Sequence, residues 1–484
     1  MPRRKLYHRG DYRRLHDVSE KGGDARDPFR RDLARLIHCP AFRRLQGKTQ
    51  LFPNGENDFF RNRLTHSIEV SQIATGIAQN LNASVLSDDP INEHLVSFAA
   101  LAHDLGHPPF GHNGEKALDE LMSGHGGFEG NAQTLRILCR LEKKETREFP
   151  YPNVVANPFN DESKDIRLGL NLTMRSLASV LKYDREIPIT DEDVKKKGYD
   201  RPVKGYYSSE DEVVQEIVDS VEARSPRPGF KTIECSIMDV ADDIAYSTYD
   251  LEDAFKAGFL SPIEMAAAPA ELKDEIATEI NSKLKILYAG TKNYSEMDVK
   301  EVDDILGRLF RTTFDYSSTS ADAAYEVSRR VYHRSRILAG TGYYRTALTS
   351  KFVHEFICDV EFTKNTTFPS LSKVRLKIDT FKEVELLKKF AYKSLIMSPM
   401  LKMAENSSGS IIERIFHTLV DAKTGAGRRL LPTDWREVYF GISDPSWRMR
   451  TVCDFIASMT DRYCLEFYSR ITGSNPPSIH KPFQ

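Results

Sequence analysis

The chain has 484 residues, of which 29% are charged and 40% hydrophobic, and its formal net charge is −2. Such a composition is typical of a soluble globular protein with one large or two modest domains, and the near-neutral charge argues against a dedicated nucleic-acid-binding protein. Apolar runs are too short for a membrane span, and none follows the basic N-terminus, so we expect neither a membrane helix nor a secretory signal. The six cysteines form no CxxC pair, which indicates reduced thiols in the cytoplasm.

Hydrophobic periodicity predicts that most of the chain is helical. In chain order, the clearest predicted helices cover 64–81, 94–105, 113–122, 131–144 and 235–257. Two segments rich in Pro, Asp and Lys, 145–165 and 184–209, are predicted to be long loops. The clearest β-like patch is 373–378, and a weak break in the pattern lies near 260–270. The sequence therefore predicts an all-α fold with minor β elements.

Three separate stretches carry residues with the chemistry of divalent metal ligands: His66, the pair His103-Asp104, and Asp242. Imidazole nitrogens and carboxylate oxygens bind divalent ions that keep water in their open positions, where it orients an anionic substrate or acts as a nucleophile. Taken singly, His66 at a helix start is more often a capping or surface residue, and Asp242 a solvated acid. Because four such placements would have to arise independently, we favour a metal site.

The adjacent pair His103-Asp104 requires a particular backbone. Neighbouring residues point in different directions from a regular helix, so the two side chains can share one ion only where the helix ends. Gly106 and Pro108 supply that ending.

His112 and Glu115 are three residues apart at the start of a predicted helix, so they share one face. A carboxylate beside an imidazole fixes its tautomer and raises its basicity, which suits proton transfer. Alone, the pair is better explained as a loop histidine and a first-turn acid favoured by the helix dipole. Beside a metal site, we interpret it as an acid–base pair.

Three runs of residues resemble the HD-domain superfamily, and more closely the deoxyguanosine triphosphate triphosphohydrolases. They are RNRLTHSIEV at 61–70, HDLGHPPFGH at 103–112 and ADDIAY at 241–246. FEGNAQ at 128–133 and MTDRY at 459–463 also look like that subfamily. The resemblance is specific over about 29–259 and thinner to about residue 470.

The resemblance implies an all-α HD-type phosphohydrolase core over 29–259 and a helical C-terminal region over 260–484. It implies metal ligands at His66, His103, Asp104 and Asp242, a catalytic His112 with its partner Glu115, and substrate contacts at Gln50, Arg63, His107, Tyr246 and Asp250.

Within that set, the resemblance places Arg63 and His107 near the phosphates and Gln50 near the base and sugar. Tyr246 and Asp250 match sugar-side residues, and positions 242, 246 and 250 lie on one stripe of a regular helix. A buried tyrosine and a surface acid are the alternative for these two. Lys182, Lys204 and Tyr206 lie in segments that the family brings near the substrate, without an assignment residue by residue.

One departure concerns the run at 128–133. The vertebrate member that joins a sterile-alpha-motif domain to an HD domain has an additional histidine there, where this chain has Glu129 or Gly130. This difference, like the absence of an extra N-terminal domain, favours the bacterial branch of the family.

The resemblance implies hydrolysis of dGTP, or of other dNTPs, to a deoxynucleoside and tripolyphosphate. The implied cofactor is a divalent metal, Mn²⁺ or Mg²⁺, with Fe²⁺ or another transition metal as alternatives. The implied partners are a dNTP substrate and further copies of the chain, commonly as a hexamer, with single-stranded DNA as a further candidate. Two rival functions stay open: an HD nucleotidase acting on monophosphates, and a regulatory protein that binds single-stranded nucleic acid.

Overall fold

The computed structural model describes residues 5–16, 26–50, 60–143, 165–222, 225, 227, 229–291, 294–311, 322–396, 399–420 and 427–473. Its contacts divide the chain into two compact units. The first unit comprises Met1–Met238, Thr363–Lys373 and Ala404–Gln484. The second unit comprises Asp239–Phe362 and Val374–Met403. The predicted division into 29–259 and 260–484 stays a prediction.

The α-helices up to the first division are α1 (Pro28–His38), α2 (Pro40–Arg44), α3 (Arg63–Ser84), α4 (Glu93–Ala102), α5 (Gly111–Leu121), α6 (Gly130–Arg136), α7 (Met174–Ala178), α8 (Asp191–Lys196), α9 (Asp211–Glu222) and α10 (Ile233–Ala245), and α10 itself contains that division. The next are α11 (Leu251–Lys256), α12 (Pro262–Ala266), α13 (Ala270–Leu287), α14 (Val299–Leu309), α15 (Asp322–Gly340), α16 (Gly342–Cys358), and, after the paired strands β1 (Val360–Thr363) and β2 (Lys373–Leu376), α17 (Ile378–Ile396). The last are α18 (Pro399–Val420), α19 (Thr433–Gly441), α20 (Pro445–Ala457) and α21 (Asp461–Thr472). Single π turns cover Ile137–Leu141 and Tyr246–Asp250, and 3₁₀ turns cover Arg9–Tyr12, Leu45–Gly47, Ser208–Glu210, Pro369–Leu371 and Gly427–Leu430.

The all-α prediction is confirmed, and the β-like patch at 373–378 contains β2. The predicted helix over 94–105 ends earlier, because His103 is the C-cap of α4 and a turn follows it. The loop predicted over 184–209 contains α8, and residues 145–164 lie outside the described residues.

Among the described residues, the first unit has a small apolar cluster around Ile187 and two large apolar cores. One lies among α1, α4, α7 and α9 and includes Phe98, Leu138 and Leu177, all fully buried. The other joins α5 to the C-terminal helices and includes Leu118 and Ile456. Because fully burying one leucine side chain contributes about 1.5–3 kcal/mol, these cores hold the ends of α4 and α5 in fixed positions.

The second unit has a core of its own, rich in aromatic rings. The ring centroid of Phe310 lies 6.3 Å from that of Phe255 and 6.2 Å from that of Phe352. Phe352 also stacks on Phe356, one turn further along α16, at 5.8 Å. These contacts lie in the range of favourable edge and offset ring packing.

Candidate active site

The first turn of α3 positions two buried polar side chains. Asn62 caps the helix by accepting a hydrogen bond from the Thr65 amide at 3.0 Å, and the Thr65 hydroxyl accepts one from the Asn62 amide at 3.0 Å. This reciprocal cap fixes the direction in which α3 begins. His66 has no exposed surface and Arg63 is 1% exposed, so the explanation of His66 as a surface or capping residue is wrong.

The end of α4 brings a second imidazole beside the first. The ring centroids of His66 and His103 lie 5.6 Å apart, and one ring nitrogen of each lies within 4.8 Å of the other. His103 Nδ1 lies 2.6 Å from the carbonyl oxygen of Ala100. Because a carbonyl oxygen only accepts, Nδ1 carries the proton, and Nε2 of the neutral ring offers its lone pair for a metal ion.

Asp104 follows in the turn after α4 and is surrounded by cationic or hydrogen-bonding groups. Arg63 Nη1 donates to Asp104 Oδ2 at 2.7 Å, and His107 Nδ1 lies 3.1 Å from Oδ1. His103 Nε2 lies 3.4 Å from the same Oδ1. Burial alone would raise the pKa of Asp104, but His107, His103 and Arg63 together hold it well below its usual value. The carboxylate is therefore ionised, and its oxygen lies beside the metal-competent nitrogen of His103.

The turn that carries these residues is fastened to α6. Gly106 N–H donates to Thr134 Oγ1 at 2.9 Å, and that hydroxyl lies 3.2 Å from the carbonyl oxygen of His103. A Cβ at position 106 would lie 2.0 Å from the carbonyl oxygen of Gly130 and 2.5 Å from the amide nitrogen of Thr134. Glycine is thus required by a close approach of two backbone segments.

We expect Gly106→Ala to lower the free energy of unfolding by about 1–3 kcal/mol or more, the range for overpacking against atoms that cannot move cheaply. Gly409→Ala, on α18 with open space at its Cβ position, is the matched control and is expected to stabilise by about 0.5–1 kcal/mol. Urea denaturation of both variants measures the difference. Equal stabilities would contradict the close approach.

His112 and Glu115 form the predicted pair at the start of α5. His112 Nδ1 lies 3.0 Å from Glu115 Oε2, and the amide of Gly130 donates to Glu115 Oε1 at 2.8 Å. Burial would raise the pKa of Glu115, but the hydrogen bond from His112 and the neighbouring His107 and Lys204 lower it to about 2. The ionised carboxylate accepts from Nδ1–H, so Nε2 is the His112 nitrogen that stays available for proton transfer. The His112 side chain is 66% exposed, which leaves it accessible to a substrate.

The backbone just before His112 has an unusual conformation at Phe110, and a hydrogen bond to Asp461 in the C-terminal part of the first unit holds it in place. Phe110 has a left-handed conformation with φ 64°, which is uncommon for a residue with a side chain. Its amide donates to Asp461 Oδ1 at 2.9 Å, and the amide of Thr49 donates to Asp461 Oδ2 at 2.8 Å. Asp461, the first residue of α21, therefore joins the segment before Gln50 to the loop before His112.

We expect Asp461→Ala to destabilise the protein by about 2–4 kcal/mol, because it leaves backbone donors on both segments without their charged acceptor. The control is Asp444→Ala. Asp444 is the N-cap of α20, and its side chain caps the helix by accepting one hydrogen bond, from the amide of Trp447. That loss is expected to cost about 1 kcal/mol. Thermal denaturation compares the two. A smaller effect at Asp461 would argue against its bridging role.

Lys204 is a further charged residue beside the His112–Glu115 pair, and no role could be assigned to it from the sequence alone. Lys204 Nζ donates to Glu129 Oε1 at 3.1 Å, and its charge contributes to lowering the pKa of Glu115. Glu129, where the vertebrate relative has histidine nearby, caps α6 by accepting from the amide of Ala132 at 2.9 Å. It is buried and thus has a structural role.

Of the neighbouring residues Tyr206 and Tyr207, Tyr207 is the one that contacts Glu129. The Tyr207 hydroxyl lies 3.2 Å from the amide of Glu129 and donates to its carbonyl oxygen at 3.3 Å. Tyr206, singled out from the sequence, donates to Asp211 at 2.9 Å and packs in the first apolar core. No sequence signal distinguished the two, because both are aromatic residues in an irregular segment.

Gln50 and His107 complete the predicted residues of the first unit. Gln50 is buried, and neither atom of its carboxamide has a hydrogen-bond partner among the described residues. The His107 ring lies 5.5 Å from that of His112, edge to face. Burial and the nearby Arg63 lower the pKa of His107 to about 4, so its ring is neutral at pH 7.

Asp242, Tyr246 and Asp250 belong to the second unit. Asp242 is half-buried near the end of α10, and Asp250 is buried, so the explanation of Asp250 as a surface acid is wrong. A π turn covers Tyr246–Asp250, so the residues after Ala245 do not follow regular α-helical spacing, and the predicted stripe of 242, 246 and 250 stays a prediction. The neighbouring Asp243 pairs with Lys388 of α17.

Comparison with known proteins matches two parts of the chain to protein families. Residues 63–196 match the HD domain, and residues 374–470 match the phosphohydrolase-associated domain. A protein from Mesorhizobium japonicum, named deoxyguanosinetriphosphate triphosphohydrolase-like protein 2, is 41% identical over 96% of this chain and 98% of its own length. The chain belongs to the deoxyguanosinetriphosphate triphosphohydrolase-like family of HD-domain proteins. Family members from Shewanella sediminis and Shewanella woodyi are 31% and 32% identical, covering 96% and 95% of this chain and 97% and 95% of their own lengths.

Membership in this family makes the chain an HD phosphohydrolase, and HD domains are generally dependent on a divalent metal. The HD match includes His66, His103, Asp104, His112 and Glu115. In the described part of the chain, no helix is long and apolar enough to span a membrane.

Proposed function

We propose that this chain is a metal-dependent dNTP triphosphohydrolase that converts dGTP to deoxyguanosine and tripolyphosphate, with other dNTPs as further candidate substrates. The observation that carries the proposal is that two buried imidazoles, His66 on α3 and His103 at the end of α4, lie beside each other, and that the His112–Glu115 pair begins the next helix along the chain. This arrangement occurs in a chain similar over nearly its full length to deoxyguanosinetriphosphate triphosphohydrolase-like proteins.

The residues present fit a divalent ion. His66 and His103 offer ring nitrogens, and Asp104 Oδ1 lies 3.4 Å from His103 Nε2. Neighbouring ligands around an ion with bonds of about 2.0–2.2 Å are separated by roughly this distance. We propose these three as ligands, with Asp242 as the fourth. A bound Mn²⁺ or Mg²⁺, or Fe²⁺ or another transition metal, would supply positive charge that offsets the charge developing on the α-phosphate.

The protein residues have separate tasks in the proposed reaction. Glu115 holds Nδ1–H of His112, so that Nε2 can accept a proton from the attacking water or return it to the leaving oxygen. Water attacks the α-phosphorus, the bond from phosphorus to the 5′-oxygen breaks, and that oxygen leaves with a proton as the 5′-hydroxyl. Arg63 and Lys204 place positive charge near the anionic substrate, which is the dominant need in phosphoryl transfer.

The unpaired carboxamide of Gln50 supports a polar ligand on this side of the site. A buried amide without partners is costly, and a sugar hydroxyl or a base edge would satisfy it. We propose that Gln50 binds the sugar or base side of the nucleotide. Tyr246 and Asp250 stay predicted sugar-side residues, and a 2′-hydroxyl is expected to be disfavoured.

We therefore expect GTP to be hydrolysed about 10²-fold less efficiently than dGTP, a typical discrimination between substrates that differ by one hydroxyl group. The measurement is kcat/KM for both nucleotides at one metal concentration. Equal values would remove the sugar-binding role from these residues.

The decisive assay of the proposed reaction incubates purified protein with each dNTP and with dGMP, in Mn²⁺ or Mg²⁺, and resolves the products. Deoxynucleoside and tripolyphosphate from dNTPs support the proposal. Orthophosphate released from dGMP, with dNTPs untouched, would identify a monophosphate nucleotidase instead. Salt-sensitive affinity for single-stranded DNA without any turnover would favour the regulatory alternative.

We also propose that the protein is cytoplasmic and assembles with further copies of itself, as a hexamer if it follows its family. A contact with single-stranded DNA stays a prediction.

A further inference from the structure

A cavity inside the first unit is lined by none of the predicted site residues, although Leu105 and Lys48, which lie close to some of them in the chain, form part of its wall. Its walls come from α2 and Lys48, from the π turn Ile137–Leu141, and from Trp435, and its volume is about 190 Å³. This is several times the roughly 30 Å³ that one water occupies in the liquid. It is smaller than the roughly 300 Å³ at which pockets for drug-sized ligands begin. The cavity therefore has room for one aromatic ring with a charged group, and not for a nucleoside triphosphate.

Most charged groups around the cavity already have partners. Lys143 pairs with Asp434. Asp454 accepts from Arg136 Nε at 3.0 Å and Nη2 at 2.8 Å. Lys48 Nζ donates to a backbone carbonyl oxygen at 2.9 Å. The remaining charged side chains of the lining are Glu142 and one arginine, whose positive charge partly offsets the burial that raises the pKa of Glu142.

That arginine is Arg44, at the end of α2. Its guanidinium is half-buried and makes no hydrogen bond or ion pair with any residue that the structure describes. Glu142, which also lines the cavity, forms no ion pair with it and accepts instead from the amide of Ala41 at 3.0 Å. A half-buried arginine without an acceptor is suited to bind a carboxylate or phosphate oxygen.

Two further groups limit what kind of anion would bind. Trp435 is half-buried and contacts Phe455 with ring centroids 5.8 Å apart, so its indole is held in place. Gln133 donates from Nε2 to Asp454 at 3.0 Å, and its buried Oε1 accepts no hydrogen bond in the described part of the chain. Apolar walls from Leu105 and Ile137 complete the lining. These features favour a flat ring over a fully hydrated inorganic anion.

We propose that this cavity is a second binding site, for a small planar organic anion, with the anionic group at Arg44 and the ring beside Trp435. The site is connected to the catalytic loop, because Lys48 Nζ also donates to the carbonyl oxygen of His107. An anion in the cavity attracts the Lys48 ammonium away from that carbonyl and loosens residues 103–112.

The binding test uses phenylphosphonate, which cannot be hydrolysed to phenol and phosphate as a phosphate ester can. The chain has two tryptophans, so Trp447→Phe leaves Trp435 as the single reporter of fluorescence. Titration in the presence of a metal chelator keeps the catalytic site without its ion. We expect a saturable change in Trp435 emission, and no such change with the cation benzylamine.

Variants of α2 assign the signal to the cavity. Arg44→Gln is expected to weaken phenylphosphonate binding by at least about tenfold, the usual value of a charge-assisted hydrogen bond, and Arg44→Lys by less. The matched control is Arg43→Gln, which changes the neighbouring exposed arginine and should leave the affinity unchanged. Absence of a saturable signal, or equal affinities for Arg44→Gln and Arg43→Gln, would overturn the site.

The connection to the catalytic loop is tested without substrate. Hydrogen exchange of residues 103–112, followed by mass spectrometry, is expected to become faster when phenylphosphonate is bound. The same addition to Arg44→Gln should change nothing. Unchanged exchange in the parent protein at saturating phenylphosphonate would overturn the connection, and this outcome is independent of whether dNTPs are hydrolysed.

Discussion

Replacing His112 by alanine is expected to lower dGTP turnover by about 10²–10⁴-fold, the range for loss of a general acid–base group. The physical reason is the 3.0 Å contact between Nδ1 and Glu115, which leaves Nε2 available for proton transfer. Bound metal should be retained, because His112 is separate from the proposed ligands. Steady-state kinetics and metal analysis of the same preparation measure both quantities.

Two variants serve as controls for this result. His94→Ala changes an exposed histidine on α4 and should leave turnover within the error of the parent protein. Glu115→Gln keeps the shape but removes the charge that orients His112, so its turnover should fall less than that of His112→Ala. Loss of metal from His112→Ala equal to its loss of turnover would contradict this division of roles.

His103→Ala is expected to have the larger effect on the metal. Removal of an outer partner of a ligand costs about 10–100-fold in metal affinity, and loss of the ligand itself should cost more. Turnover should fall by at least about 10³-fold, the upper value for loss of one electrostatic contributor. The measurement is metal content by mass spectrometry together with kcat at saturating Mn²⁺.

The matched control is His125→Ala, whose ring lies 3.0 Å from Ser446 Oγ and touches no proposed ligand. It should keep both metal and activity. If His103→Ala retains the metal content of the parent protein, the proposed use of its Nε2 is wrong.

Much of the local structure was predictable from the sequence because it depends on local patterns. Gly106 and Pro108 indicated that a helix ends near the pair His103-Asp104, although α4 ends at Ala102 and not at the predicted residue 105. The His112–Glu115 contact followed from their spacing at a helix start. The burial of His66 could not be read from its position alone, because both a capped surface turn and a buried one begin in the same way.

The features that the sequence did not reveal depend on contacts between distant segments. Asp461 holds Phe110 and Thr49, which are more than 300 residues away in the chain, and nothing in their local patterns indicates the contact. The π turn after Ala245 changes the spacing that a regular helix would give to Asp250. Similarly, Arg44 is one of several basic residues in its segment, and only the fold shows that its guanidinium lines a cavity.

Hydrolysis of dGTP in ¹⁸O-labelled water tests the proposed reaction most directly. If water attacks the α-phosphorus while His112 manages the proton, one labelled oxygen appears in tripolyphosphate and none in deoxyguanosine. The same experiment with His112→Ala should give the same distribution at a much lower rate. Label in the 5′-hydroxyl of deoxyguanosine, or release of labelled orthophosphate in place of tripolyphosphate, would contradict the account.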